Sequence, residues 1–560
     1  MTETGIYPGG TEGGAATDFD AIVIGAGFSG LGMLHHLNEI GLRSIVLDAA
    51  GGVGGTWYWN TYPGARTDSE FYYYSFSFSR KVREEWVWKE RYPAQPEVLA
   101  YLEFVAERLD LYKDIRFNTR ISRAEYDEAE NTWTVTTEAG DTFTAKYVIS
   151  GMGVLSAPSM PNIPGIDSFG GESYHTSRWP RDREVDLSGK RVGIIGLGAS
   201  GVQLVPVVAE TAGELFVFQR TPNYVVASSN REVDPEWMQR VRDTYDESFE
   251  KAFDHGFAVP FVKPTDGAKE VEQVERDRVF EQGWKEGGFH FMLETFNDLA
   301  VDQESNNHAS DFIRRKIRET VKDPTTADLL SPKDYPFNGK RPPGGHGYYE
   351  AYNRDNVHLV DTKSHPIEEV TEKGLVVNGQ LYELDVIMWA TGFDAMTGTL
   401  TRVDIVGEGG VLLRDKWADG LKTNLGLSVN GFPNFFMILG PQTPYANLPV
   451  AIQAGVAWIS DAIAFAQKHH IDRFESTKDA EEAWAAEVNR AGSATIMAQG
   501  AKANAWFIGA NIPGKPIEFN VFMGGADVYF KRCDEVARNG YATFIPAGRV
   551  DEPWAESLHR

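Results

Sequence analysis

The 560-residue sequence predicts an α/β protein with two Rossmann-like dinucleotide-binding domains and a helical insertion. Two segments carry this prediction, residues 20–30 and residues 190–201. Each reads as an apolar strand, a glycine-rich turn and the start of a helix, which is the order of a nucleotide-binding βα unit. The two copies lie about 170 residues apart, too far for neighbouring units of a solenoid. A chain of this length also needs more than one hydrophobic core.

The first glycine motif predicts a site for a dinucleotide with free ribose hydroxyls. Its first glycine makes the tight turn, the second lets the backbone approach a pyrophosphate, and the third lets helix and strand pack closely. Asp48 ends the next predicted strand, 18 residues after the last glycine, where its carboxylate can accept hydrogen bonds from ribose hydroxyls. The contacts predicted within this motif are Gly25, Gly27, Phe28, Ser29 and Gly30.

The second glycine motif differs in the residue that ends its next strand. Here Arg220 stands 19 residues after the last glycine. A carboxylate would repel a 2′-phosphate, whereas a guanidinium can bind one with two hydrogen bonds. Two different dinucleotides are therefore predicted, most simply FAD at the first motif and NADPH at the second. The contacts predicted within this motif are Gly196, Gly198, Ala199, Ser200 and Gly201.

The composition excludes several classes of partner and site. Asp and Glu number 80 against 54 Lys and Arg, a formal charge of −26, and such a surface repels nucleic acid and anionic membranes. Cys533 is the only cysteine, so an internal disulfide, a dithiol relay and a multi-cysteine metal site are excluded, and no metal site is predicted. No uninterrupted apolar run is long enough to span a bilayer, and residues 1–18 resemble neither a secretory nor a transit signal. A cytoplasmic protein is expected.

Changes in composition along the chain predict its domain organisation. A Pro-rich stretch that begins at residue 158 punctuates the chain, and a later charged stretch has a helical pattern. The predicted parts are a loose tail at 1–18, the first part of the FAD-binding domain at 19–157, an inter-domain linker at 158–186, the NADP-binding domain at 187–385 with a helical insertion at about 228–336, and the second part of the FAD-binding domain at 386–560.

A flavin and a nicotinamide on one chain predict hydride transfer from NADPH to FAD. Cys533 has no partner cysteine, so the reduced flavin cannot pass its electrons to a dithiol. No cysteines are available for an Fe–S cluster either. Dioxygen is the obvious remaining acceptor, and a diffusible quinone or a partner protein stays open as an alternative.

A longer motif, Phe169-x-Gly171-x-x-x-His175-x-x-x-Trp179-Pro180, precedes the second glycine motif. It closely resembles the signature of the Baeyer–Villiger monooxygenases, flavoproteins that turn ketones into esters or lactones. Other stretches are similar to the same family and occur in the family's order: residues 54–68, Gln219-Arg220-Thr221-Pro222, Lys340-Arg341, residues 390–394 and residues 506–514. The resemblance spans most of the chain.

The resemblance implies a catalytic ion pair. Asp68 and Arg341 are expected beside the flavin, where Arg341 would stabilise a C4a-peroxyflavin in its anionic form and Asp68 would hold Arg341 in place. The deprotonated peroxyflavin would attack the carbonyl carbon of a ketone. Asp48 departs from the family's usual glutamate by one methylene.

The resemblance also implies further contacts with the cofactors. Lys340 and Arg220 would share the 2′-phosphate with Thr221 beside them, His175 and Trp179 would lie in a hinge between domains, and Trp506 would fold over the nicotinamide on a mobile loop near residues 500–515. The remaining predicted cofactor contacts are Gly55, Thr56, Trp57, Tyr62, Tyr74, Ala390, Thr391 and Gly392.

Two other functions compete with this interpretation. An N- or S-oxygenating flavin monooxygenase would share both glycine motifs but would not need Asp68 paired with Arg341. A non-oxygenating flavin redox protein would reduce flavin without inserting oxygen. The predicted substrates are a small apolar ketone and O2. Parts of the helical insertion, residues 440–445 and the region of Trp506 are expected to line the ketone pocket. The sequence does not identify which ketone is used or which oligomeric state is formed.

Overall fold

The computed structural model describes residues 17–544. The predicted tail at 1–18 therefore lies outside the described residues except at its last two positions, and the end of the predicted second FAD-binding part lies outside them as well. Asp18 is not loose, because its backbone N–H donates to Thr144 Oγ1 at 3.0 Å and its Oδ2 accepts from the Thr144 backbone at 2.9 Å. Asp18 thus belongs to the first domain, one residue before the predicted boundary.

The first sheet has eight strands and carries the first glycine motif. In spatial order its strands are Asp404–Val406, Ile121–Asp127, Thr132–Thr137, Thr142–Ser150, Phe19–Ile24, Ser44–Leu47 and Ile115–Arg116, with Phe435–Met437 paired to Thr142–Ser150. The strand before the motif pairs in parallel with both of its neighbours. The carboxyl ends of these strands therefore meet at one edge, which is where such sheets bind nucleotides.

Helices cover this sheet. They are Phe28–Glu39, Thr56–Trp59, Arg80–Glu85, Gln95–Arg108, Gly398–Thr401, Leu413–Lys416, Leu448–Lys468, Lys478–Ser493 and Ala526–Arg538. The helix after the first glycine motif begins directly behind Gly27, which places its free N–H groups at the glycine turn.

The second sheet has five parallel strands and carries the second glycine motif. In spatial order they are Val357–Asp361, Glu214–Gln219, Arg191–Ile195, Val386–Trp389 and Glu172–His175. The edge strand comes from the predicted linker, so part of that segment belongs to the sheet. Val386–Trp389 is fully buried between two strands, so the predicted boundary after residue 385 lies too early in the chain. Smaller sheets join Ile367–Thr371, Gly374–Val377 and Gln380–Glu383, and Val226–Ala227 with Gly344–Gly345.

The helical insertion divides between the two hydrophobic cores. Its helices and those beside the second sheet are Ala199–Thr211, Pro235–Asp243, Tyr245–Phe253, Gln273–Glu286, His290–Leu293, Gln303–Thr320, Pro324–Leu330 and Tyr348–Ala351. Met238 and Phe249 pack into the core of the first domain, whereas Phe280 and Phe312 pack into the core of the second. The insertion therefore ties the domains together, which the sequence alone did not predict.

One helix of the first domain is as long and apolar as a membrane-spanning helix. Among residues 17–544, Leu448–Lys468 is long and apolar enough by composition to cross a bilayer, with a mean hydropathy of 1.5. It includes Gln453 and Ser460, and 72% of its most apolar window is buried against the rest of the protein. In this fold the helix packs against Phe28–Glu39 as a core element.

The third glycine of each motif lies where a side chain cannot fit. A Cβ on Gly30 would lie 1.7 Å from Gly25 O, and one on Gly201 would lie 2.0 Å from Gly196 O. By contrast, a Cβ on Gly198 would meet no atom within 4 Å, and this residue has an ordinary φ of −77°. Packing thus requires Gly201, whereas open space surrounds Gly198.

We expect Gly201→Ala to lower the Tm markedly, because relieving the clash separates helix from strand at a cost of about 1–3 kcal/mol or more. Gly198→Ala is the matched control and should leave the Tm unchanged. Thermal unfolding followed by circular dichroism measures both; equal Tm values for the two variants would contradict the packing argument.

Candidate active site

A cavity of about 610 Å³ opens between the two domains and is lined by residues of both glycine motifs. The predicted site residues that line it are Gly25, Gly27, Phe28, Ser29, Asp48, Gly55, Thr56, Trp57, Tyr62, Asp68, Tyr74, Ala199, Ser200, Arg341 and Trp506. These residues come from distant parts of the sequence, and the docking of the two domains brings them to one wall.

Other predicted residues do not line the cavity. They are Gly30, Gly196, Gly198, Gly201, Arg220, Thr221, Lys340, Ala390, Thr391, Gly392, Phe169, Gly171, His175 and Trp179. Gly30, Gly196 and Gly201 are held against backbone carbonyls inside the two motifs. The rest lie on the second domain or in the connections between the domains.

The first glycine motif packs against another glycine turn, that of Gly54 and Gly55, and the two turns are called here the glycine cradle. A Cβ on Gly27 would lie 3.3 Å from Gly55 Cα, so the two backbone turns approach each other closely, and both glycines line the cavity. Asp48 is buried, and its carboxylate accepts from Ala26 N at 2.5 Å and Ala50 N at 2.6 Å. Burial raises the pKa of Asp48 although both N–H groups oppose this. Two glycine turns in close contact beside a buried carboxylate fit the predicted FAD, and the contact of Asp48 with the ribose stays a prediction.

Asp68 and Arg341 form an ion pair in the cavity wall. Arg341 Nη1 donates to Asp68 Oδ2 at 2.6 Å, and Asp68 Oδ1 accepts from Gly344 N at 3.2 Å. Burial alone lowers the pKa of Arg341, but Asp68, Tyr445 and Tyr62 outweigh it and the pKa is raised. The guanidinium therefore remains charged although it is largely removed from water.

A bridge between the domains lies beside this pair and was not found from the sequence. Tyr62 OH donates to Gln203 Oε1 at 2.8 Å, and Gln203 Nε2 donates to Arg66 O at 3.0 Å. Gln203 belongs to the helix that follows the second glycine motif. Gly64 has a φ of +84°, and a Cβ there would lie 2.5 Å from Gln203 O. Burial raises the pKa of Tyr62 to about 12, so it acts as a neutral donor.

Lys340 and Arg220 place two positive charges close together on the second domain. Burial disfavours the ammonium and the Arg220 guanidinium repels it, which lowers the pKa of Lys340 to about 8. Within residues 17–544 neither side chain has an ion-pair partner. Two unpaired cations near one glycine motif have the chemistry of a phosphate site.

The fingerprint residues lie in the connection between the domains. His175 Nδ1 accepts from Ser177 N at 3.2 Å and caps the short turn that follows it. Burial and Arg178 lower the pKa of His175 to about 4, so the ring is neutral near pH 7. Trp179 is buried with its ring 5.2 Å from that of Tyr174. This geometry agrees with a structural rather than an acid–base role.

The segment with Ala390, Thr391 and Gly392 connects the second sheet to the first domain. Thr391 Oγ1 donates to Ser159 O at 2.6 Å, so its hydroxyl is used for packing the two connections together. The following residue, Phe393, does line the cavity. The predicted cofactor contacts of residues 390–392 are therefore not seen at the cavity wall.

Aromatic side chains form another part of the cavity lining, called here the aromatic wall. Tyr445 lies at the centre, with ring centroids 5.5 Å from Phe257 and 6.1 Å from Trp506, and Phe289 lies 5.1 Å from Phe257. The Tyr445 hydroxyl is buried without a hydrogen-bond partner in the described part of the chain. The aromatic wall is thus largely apolar and carries no charged group; its polar atoms are this phenol and the indole N–H of Trp506.

The segment predicted as a mobile loop is fastened to the connection near residue 394. Lys515 Nζ lies 2.6 Å from Asp394 Oδ1, and Asn511 Nδ2 donates to Phe393 O at 2.7 Å. Trp506 is held over the cavity by this arrangement. The mobility of the loop stays a prediction.

Comparison with known proteins agrees with this geometry. Residues 22–287 match the family model described as pyridine nucleotide-disulphide oxidoreductase. A Baeyer–Villiger monooxygenase from Pseudooceanicola batsensis is 44% identical over 531 residues, 94% of this chain and 96% of that protein. A phenazine N-monooxygenase from Lysobacter antibioticus is 42% identical over 532 residues, 94% of this chain and 97% of that protein.

A solved structure extends the comparison to the fold. Cyclohexanone monooxygenase from Rhodococcus sp. Phi1 bound to NADP⁺ superposes with a TM-score of 0.92 at 42% identity, covering 95% of this chain and 99% of that chain. The predicted fold class, with two dinucleotide-binding domains, is confirmed. So are the predicted cofactors, FAD and NADPH.

Proposed function

We propose roles for individual residues on the premise that the chain belongs to the Baeyer–Villiger monooxygenase family. The protein is an FAD-containing monooxygenase that uses NADPH and O2 to convert ketones into esters or lactones. When bound, the flavin accepts hydride from NADPH, activates dioxygen and supplies the oxygen atom that enters the ketone. The tasks left to the side chains are to hold charge, exclude water and orient the ketone.

The ion pair of Asp68 and Arg341 is the observation that carries the catalytic proposal. Asp68 engages only Nη1, and among the described residues Nε and Nη2 of Arg341 make no hydrogen bond. Arg341 lines the cavity, so these N–H groups are available to the negative charge that develops on the transferred oxygen. Asp68 fixes the guanidinium without taking all of its donors, so Arg341 acts catalytically and Asp68 orients it.

Lys340 and Arg220 are proposed to bind the 2′-phosphate of NADPH, with Thr221 beside them. Burial and then the charge of Arg220 lower the pKa of Lys340, and an anion between the two side chains would relieve their repulsion. A phosphate dianion supplies such a charge, and NADH lacks it. The pair therefore selects NADPH over NADH.

The substrate is proposed to be a small apolar ketone. The aromatic wall of Phe257, Phe289, Tyr445 and Trp506 excludes water and offers no charged partner to a substituent. Arg341 interacts electrostatically with Tyr445 of this wall, so its guanidinium is placed to receive the carbonyl oxygen. Apolar contacts thus position the carbon skeleton of the ketone, and the guanidinium of Arg341 receives its carbonyl oxygen.

A cytoplasmic location is also proposed. The apolar helix Leu448–Lys468 packs within the core, and Cys533 is a buried free thiol, which suits a reducing compartment. Cell fractionation with an activity assay tests the location, and activity confined to a membrane or extracellular fraction would contradict it.

Nitrogen oxygenation is a second candidate, favoured by the similarity to a phenazine N-monooxygenase. The fixed Asp68–Arg341 pair favours ketone oxygenation, because attack on a carbonyl needs a negatively charged oxygen. Product identification with a cyclic ketone and with an aromatic amine, each under the same NADPH supply, separates the two functions.

Arg341→Ala should retain NADPH-dependent flavin reduction but lose ester or lactone formation by about 10²-fold or more, because the developing charge loses its guanidinium. Rapid mixing and product analysis measure the two steps. Arg414→Ala, which removes a surface arginine paired with Asp404, is the control and should keep both. Unchanged product formation by Arg341→Ala would remove this residue from catalysis.

Arg220→Ala should raise the KM for NADPH at least ~10-fold, since an ion-paired phosphate contact is lost. The KM for NADH should change little. Steady-state kinetics with both nucleotides provide the comparison, and equal changes would refute recognition of the 2′-phosphate.

The pH dependence of nucleotide use tests Lys340 separately. Only the protonated amine attracts phosphate, so the KM for NADPH should rise toward tenfold per pH unit above the lowered pKa of about 8. The KM for NADH should not follow. Lys340→Arg keeps its charge at these pH values and should abolish the rise; persistence of the same rise in this variant would point to another group.

A further inference from the structure

The turn that carries Asp68 is anchored by three consecutive side chains to three different parts of the fold. Asp68 binds Arg341, as described above. Ser69 Oγ donates to Asn447 Oδ1 at 2.9 Å. Glu70 Oε1 accepts from Arg91 Nη2 at 3.0 Å and lies 2.6 Å from His290 Nε2. The position of the catalytic pair thus depends on contacts made one and two residues further along the chain.

His290 lies between two carboxylates. Its Nε2 faces Glu70, and its Nδ1 lies 2.5 Å from Glu294 Oε2. A neutral imidazole carries one N–H and can donate to only one of these oxygens, whereas an imidazolium donates to both. The ring also stacks on Phe261, with centroids 4.0 Å apart and an angle of 20°. His290 can therefore donate hydrogen bonds to Glu70 and Glu294 at the same time only when its ring is protonated.

The charges around His290 favour its protonated form. Burial lowers the pKa of His290, but hydrogen bonds and charge from Glu294 and Glu70 outweigh it and raise the pKa to about 9. The pKa of Glu70 is held low against burial by His290 and Arg91. Arg91 also lies 3.2 Å from Glu286 Oε1.

The uncharged groups around Glu70 cannot replace this proton. Tyr72, Tyr73 and Tyr92 face Glu70, and burial, strengthened by its carboxylate, raises the pKa of each phenol. The hydroxyls of Tyr73 and Tyr92 are buried without a hydrogen-bond partner among residues 17–544. Neither phenol donates to Glu70. Its carboxylate is therefore joined to the insertion directly by His290 and indirectly by Arg91, which donates to Glu286 O at 2.8 Å.

We propose that protonated His290 is a positioning residue, which clamps Glu70 to the 286–294 segment and so fixes the Asp68 turn and the cavity wall at Phe289. This inference rests on the role proposed for Asp68 and Arg341. Phe289 precedes His290 and lines the cavity. The contact between His290 and Glu70 therefore positions both the Asp68–Arg341 ion pair and the aromatic wall. Loss of the proton leaves His290 with one N–H, so it can donate to Glu70 or to Glu294 but not to both. Arg91 still joins Glu70 to Glu286, and the segment is loosened at Phe289 and His290.

The direction of the pH effect follows from the raised pKa. Stability contributed by the clamp is fully present below the ordinary histidine pKa of 6.5 and is lost as the pH rises to about 9. The fraction of consumed NADPH that yields ester or lactone should therefore fall above about pH 9, with hydrogen peroxide released instead. This fraction does not depend on the KM for NADPH, so titration of Lys340 does not disturb it.

The test compares His290→Gln and His290→Arg with the unmodified FAD-loaded enzyme between pH 6 and pH 10. His290→Gln should lower the productive fraction roughly tenfold at pH 7, as expected for a displaced catalytic group, and should remove its fall above pH 9. His290→Arg keeps a positive charge and should retain product formation above pH 9. The Tm difference between the unmodified enzyme and His290→Gln, a readout independent of activity, should be largest below pH 6.5 and vanish above 9.

A control and a milder variant accompany this test. His358→Gln removes an exposed histidine that pairs with Glu214 on the second sheet, and it should change neither profile. Glu294→Gln removes one carboxylate at a partly exposed position and should shift the alkaline loss downward by ~1–3 pH units. This variant decides the matter if the His290 variants fail to fold.

The proposal is overturned if the unmodified enzyme keeps its productive fraction unchanged to pH 10, or if His290→Arg or Glu294→Gln loses it at the same pH as the unmodified enzyme. Failure of the catalytic proposal gives a different pattern, because Arg341→Ala would then form product normally while the His290 variants still altered the Tm profile.

Discussion

The ion pair between Asp68 and Arg341 is the constraint on which the arrangement of the two domains depends. Its partners stand 273 residues apart in the chain. Removing a guanidinium from water is costly unless a carboxylate lies next to it, so the pair forms only when the domains dock in one geometry. The same geometry brings both glycine motifs to one cavity. Charge stabilisation and cofactor placement are therefore consequences of a single docking arrangement.

The charge distribution inside the protein opposes that of its surface. The chain carries a formal charge of −26, yet Arg341, Lys340 and Arg220 retain donors without carboxylate partners in the described part of the molecule. Both cofactors are anionic, and a local cluster of cations attracts them in spite of the overall charge. The net charge is an argument about the outer surface of the protein, and it carries no information about these sites.

The parts of the fold that could be predicted are those encoded by local patterns. The two glycine motifs, with the strands before them, predict both parallel sheets, and the sequence blocks around Asp68 and Arg341 identified the pair through family resemblance. The bridge through Gln203 and the clamp at His290 could not be predicted, because they join side chains more than a hundred residues apart without a recurring motif. The boundary near residue 385 was misplaced because a buried strand and a domain connection share the same apolar composition.

The glutamine bridge has a mechanical consequence. Gln203 lies one turn after the helix start that faces the second dinucleotide, and its amide grips Tyr62 on one side and the backbone of Arg66 on the other. Gly64 allows that turn to rest directly on the helix backbone. A movement of the second domain relative to the first would therefore displace the turn that leads to Asp68. A change in the position of the second domain would thus reach Asp68 through the backbone of residues 62–68, and with it the guanidinium that Asp68 orients.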